Sequence, residues 1–146
     1  MGGLLVDTIF RRLAGGLAFA LASAGGYAAS LTPPELAAEV IRSTPIKSAA
    51  RVEATVATDA RYTYFVWYKQ GEGSVAKARA DTQKLVRATL SALVKQGVKP
   101  AEDWKFIHAH GVEEVRGETR KMAAELGDAA YNFTTDQIEF KPPSLK

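Results

Sequence analysis

The chain has 146 residues, 47% hydrophobic and 24% charged, with no cysteine and a formal net charge of +3. That length suits one domain with a core of its own. The absence of cysteine excludes disulfides, thiol catalysis, thiolate metal sites and a lipidated cysteine. Lys+Arg 19 and Asp+Glu 16 are interleaved, so there is no basic stripe of the kind that marks a nucleic-acid footprint.

Residues 1–30 read as an address. Arg11 and Arg12 precede an uncharged apolar run from Leu13 to Leu21, and Ala22-Ser23-Ala24 then supplies small residues. A positive n-region, an apolar h-region and an A-x-A site form the secretory pattern. Cleavage nearer Ala28 or Ser30 also fits. The competing reading is a retained membrane anchor over residues 13–30, a stretch at the lower limit for a span and diluted by glycine and alanine. The arginine pair also raises a twin-arginine route. Removing the segment takes away Asp7, Arg11 and Arg12 and leaves a net charge of about +2.

Residues 31–146 carry the folded domain. Thr32-Pro33-Pro34-Glu35 has a capping threonine, a proline at the first helical position and a glutamate to close a capping box. The helix it starts is expected to reach Arg42, with Leu36, Val40 and Ile41 inward. Arg51 to Thr58 alternates, and Arg61 to Lys69 is rich in β-branched and aromatic residues, so the two form a predicted hairpin. In the second run Tyr62, Tyr64, Val66 and Tyr68 share one face, and Thr63, Phe65 and Trp67 the other.

The best-specified element follows. Ser74 is an N-cap, and Gly97, Val98 and Pro100 supply a left-handed cap, a residue that folds back and a stop. Between them Val75, Val86, Leu90, Leu93 and Val94 fall on one side, widened by Ala78, Thr82, Leu85 and Thr89. So wide an arc suits a helix lying on a sheet. Arg79 breaks the pattern. It reads either as an arginine snorkelling at the helix edge or as a partner for an anion.

Asp103 to His110 is expected to be a strand, with Trp104, Phe106, His108 and His110 on one face. Thr119 to Leu126 is expected to be a helix stopped by Gly127. Tyr131 to Thr134 and Gln137 to Lys141 are expected to form a terminal hairpin. The predicted order is helix, two strands, helix, strand, helix, two strands. That is an α+β domain: a largely antiparallel sheet with one long central helix packed on it.

His108 and His110 are the only constellation resembling a metal site, because residues two apart on a strand point to one side. Glu113 or Glu114 could add a carboxylate. Two histidines alone do not complete such a site. Arg79, Tyr64 and Trp67 are the candidate binding residues. No nucleophile elbow and no phosphate loop is present, and no cofactor is expected.

The run from Ser74 to Asp103, including Gln96-Gly97-Val98-Lys99-Pro100-Ala101-Glu102-Asp103, resembles the helix-to-strand part of exported SIMPL-domain proteins. It is also distantly similar to OmpA-like peptidoglycan-binding domains. The expectation is an exported, non-enzymatic binding or assembly module of the periplasm or envelope. The alternatives are a SIMPL-like exported protein, a membrane-anchored subunit of a larger complex, and a histidine-based metal-binding protein or enzyme. Its partners would be other envelope proteins and not nucleic acid, with the membrane involved only if residues 13–30 are retained.

Overall fold

The computed structural model describes residues 30–57, 60–116 and 121–144. The expected signal or anchor segment, apart from Ser30, therefore lies outside the described residues. Among those described, no helix is long and apolar enough to cross a membrane.

The chain runs α1 (Pro33–Ser43), β1 (Arg51–Val56), β2 (Arg61–Tyr68), α2 (Val75–Lys95), β3 (Phe106–Arg116), β4 (Lys121–Asn132) and β5 (Gln137–Lys141). The five strands form one sheet in the order β1-β2-β3-β4-β5. Pairing is antiparallel except between β2 and β3, which run parallel. The α2 segment makes the crossover that this parallel pair requires. The result is an α+β domain with a mostly antiparallel sheet.

Local chemistry sets the helix ends. Thr32 accepts from the Glu35 amide while the Glu35 carboxylate accepts from the Thr32 amide, a complete capping box. The Glu35 carboxyl is held below its usual range, by the bond from the Thr32 amide first and by the Thr32 side chain second. Ser74 Oγ accepts from the Lys77 amide at 3.1 Å. At the far end Gly97, at φ 81°, donates to Val94 and Val98 donates to Leu93. This pair of bonds is the Schellman arrangement that satisfies orphan carbonyls.

The core lies between the helices and one side of the sheet. Tyr62, Tyr64, Val66 and Tyr68 point into it from β2, and Ile107 and Ala109 from β3. From α2 come Ala78, Thr82, Leu85, Val86, Thr89 and Leu93. Six residues of the expected arc are thus buried, and its edge at Val75, Leu90 and Val94 is not. Val75 is 38% exposed and Val94 59%, and Leu90 is only half-buried. The two threonines replace apolar bulk because their hydroxyls bond back to helix carbonyls at Ala78 and Leu85.

Two sequence expectations need correction. The segment expected as a helix from Thr119 to Leu126 belongs instead, where described, to β4, paired with β3 from Val115–Met122 down to Ile107–Tyr131. Good helix formers lose here because β3 offers a full ladder and half-buried pairing. Gly127 is not a helix stop. It sits at φ 111°, beside the register shift at Gly111/Val112. A Cβ there would stand 2.5 Å from Phe140 Cζ. The second correction concerns β3, which begins at Phe106 and continues to Arg116. Trp104 lies before it in a turn at φ 52°, 70% exposed.

Candidate functional site: the open face of the sheet

Helices α1 and α2 cover one side of the sheet. Among the described residues no element covers the other. Alternation along each strand assigns its residues. On β1 they are Arg51, Glu53 and Thr55, and on β2 Arg61, Thr63, Phe65 and Trp67. On β3 they are Phe106, His108, His110, Val112 and Glu114, in step with β2 from Arg61–Phe106 to Trp67–Val112. On β4 and β5 they include Asp128 and Ala130, opposite Lys141 and Glu139.

The rings form two groups. Phe65 stacks on His110 with centroids 5.2 Å apart, and His110 meets His108 edge-on at 6.0 Å. Phe106 packs edge-on against Phe133 at 5.2 Å, and Trp104 lies 6.5 Å beyond. Two arginines close the ends. Arg51 lies 4.4 Å over Trp67, and Arg61 lies 4.8 Å over Phe106. Such cation–π contacts hold the guanidinium flat against the ring.

Arg51 also ties the edge strand to β3. Its Nε donates to Glu53 at 2.8 Å and its Nη1 to Glu114 at 2.9 Å. Trp67 Nε1 donates to the other oxygen of Glu53 at 3.1 Å. The Glu53 carboxyl is held below its usual range, by the Arg51 bond first and the Trp67 bond second.

The sequence-predicted residues divide between the two sides. His108, His110 and Trp67 come together on the open face. Tyr64 does not. It is fully buried under α2, with Oη 2.7 Å from Thr89 Oγ1, which also lies 2.8 Å from the Leu85 carbonyl. One hydroxyl carries one proton and a carbonyl only accepts, so Thr89 donates to Leu85 and the Tyr64 hydroxyl donates to Thr89. Burial pushes the Tyr64 phenol up to about 12. Arg79 is exposed on the helix side, 4.6 Å over the Phe140 ring.

The carboxylates expected near the histidines are engaged elsewhere. Glu113 points to the helix side, where one oxygen accepts from the amides of Gly71 and Gly73, each at 2.9 Å. Glu114 is held by Arg51. Among the described residues no group of three or more His, Asp or Glu side chains is placed to hold a metal ion. Burial lowers the His108 imidazole below its usual value. The neighbouring His110 adds to this, Asp128 opposes it, and Arg61 lowers it further.

Sequence reasoning set Phe106 on the face of His108 and His110 but passed over Arg51, Glu53 and Arg61 as members of that surface. The alternation that places Phe65 and Trp67 together was the available signal. It lacked the parallel register that sets them beside His108 and His110.

No protein-family model, curated protein or solved structure matches this chain.

Proposed function

We propose that this chain is an exported, non-enzymatic binding or assembly module of the periplasm or cell envelope, working through the open face of its sheet. One observation carries the surface: five open-face rings, Trp67, Phe65, His110, His108 and Phe106, lie side by side on rigid strands, flanked by two arginines. Aromatic rings and arginine are the residues most enriched at binding hot spots. Strands hold them at fixed spacing, so little order is lost on contact. The residues named on that face form interlocked ion pairs and ring contacts rather than a nucleophile with a base.

Export rests on the N-terminal pattern of Arg11-Arg12, the run to Leu21 and Ala22-Ser23-Ala24. Residues 1–30 then act as signal peptide or membrane anchor, and residues 31–146 as the α+β domain organised around its long helix. The partners are envelope proteins, further copies of this chain among them. Fractionation of the native host with N-terminal sequencing tests this. A mature protein beginning between Gly25 and Leu31 in the periplasmic or envelope fraction supports it. An intact Met1 in the cytoplasm overturns it, and an intact terminus in the membrane fraction selects the anchored subunit.

A further inference from the structure

We propose that the open face is closed by the same face of a second copy of this chain, across a two-fold axis running along β3. The inference rests on reading that face as the working surface and names its occupant.

The strand registers carry the argument. Glu53, Phe65, His110, Asp128 and Lys141 are successive partners, so they form one row across the whole sheet. Thr55, Thr63, His108, Ala130 and Glu139 form the next. Each row has a histidine at its centre. The first carries an acid at one end and a base at the other.

A two-fold axis along the middle strand reverses the strand order and keeps each row at its level. Glu53 then lies over the partner's Lys141, and by symmetry Lys141 over the partner's Glu53. Thr55 lies over the partner's Glu139. Asp128 faces the partner's Phe65, with its own His110 alongside. Only β3 residues meet their own copies. Of these, Phe106, His108, His110 and Val112 are uncharged when the imidazoles are neutral. The next, Glu114, is already balanced by Arg51 at 2.9 Å. In these rows no cation faces a cation and no anion faces an unbalanced anion. Face-to-face packing of twisted sheets in near alignment is a standard sandwich geometry, and self-complementarity is what a two-fold interface requires.

The test exploits the width of the sheet. Within one chain Glu53 and Lys141 stand four strand spacings apart, roughly 19 Å at about 4.8 Å each. Energetic coupling between them must therefore arise between copies. Sedimentation velocity over a concentration series is run on the mature chain purified from its host. The parent sediments as a dimer. Lys141→Glu weakens association by about tenfold or more, and Glu53→Lys with Lys141→Glu recovers most of the loss. Because Glu53 also holds Arg51 and Trp67, circular dichroism checks the fold of each variant. Thr55→Lys gives an independent arm, since the new base would face the partner's Glu139 and tighten the dimer.

A parent that stays monomeric overturns the proposal, whatever else then binds the face. So does a dimer indifferent to Lys141→Glu and Thr55→Lys. Export is read separately from the cell fraction and the mature N-terminus. A monomeric exported protein would sink the dimer alone.

Discussion

His110 stacks on Phe65 with ring centroids 5.2 Å apart and planes at 22°. The two belong to β2 and β3, which are parallel neighbours with α2 between them in the chain. The contact exists only because α2 carries the chain back across the sheet. A helix packed on one side thus sets the spacing of side chains on the other.

Leu93 reports on that helix. It is 3% exposed within the core cluster, and Leu93→Ala should cost about 2–5 kcal/mol in urea unfolding. Val94→Ala, one residue on and 59% exposed, should stay within about 0.5 kcal/mol. Equal effects at the two positions would mean that α2 is rotated on the sheet.

Helix α2 packs tightly on β3 at Gly111, where an added Cβ would stand 2.6 Å from Ala78 Cβ. Gly111→Ala should therefore destabilise by about 1–3 kcal/mol. Adding Ala78→Gly removes the clash and recovers part of that, less about 1 kcal/mol of helix propensity. Additive losses in the double mutant would place the clash elsewhere.

Glu113 acts as a latch on the turn before α2. One carboxylate oxygen serves the Gly71 and Gly73 amides, and Glu113→Ala leaves both without it. The expected cost is about 1–3 kcal/mol, with faster hydrogen exchange at those two amides. Exchange that is unchanged at both would show that the latch contributes nothing.

Alkaline pH should unfold the domain. Burial raises the phenols of Tyr64 and Tyr131 to about 12, the latter also through its bond to Asp136. Burial, then the bond to Asp81, raises Tyr68 as well. An unfolded tyrosine ionises near 10. Stability from keeping these groups neutral is thus fully present below about pH 10 and lost as pH rises through about 12. Phenolate absorbance and far-ultraviolet circular dichroism, followed together, should change in step. Ionisation of all the tyrosines near pH 10 with the fold intact would contradict it.

At the acid side His108 gives the opposite sign. Its lowered value means that its contribution is present above about pH 6.5 and lost as pH falls through the folded value. A proton NMR titration should place the His108 midpoint below that of a free imidazole, and a raised midpoint would contradict its burial.

Local signals made much of the fold legible. The Thr32–Glu35 box, the Ser74 cap and the Gly97-Val98 turn are short-range chemistry, and so is the alternation of the β1–β2 hairpin. What sequence could not show depends on distant partners. Met122 to Leu126 reads as helix by itself, yet this segment lies in β4 because β3 stands ready to pair with it. Trp104 continues the alternation of Phe106, but a left-handed turn removes it from the strand. The histidines were visible as a pair on one face. That this face would be the open one, with Phe65 and Arg61 beside them, followed only from the parallel register of β2 and β3.

The open face as the surface this protein works through is tested most directly by hydroxyl-radical footprinting. The protein in its native envelope fraction is compared with the purified chain diluted until it sediments as a monomer. Phe65, Trp67 and Phe106 should oxidise more slowly in the envelope, while Val94 on the outer side of α2 should not change. Equal oxidation of the three rings in both settings, or protection confined to Val94, would contradict the assignment.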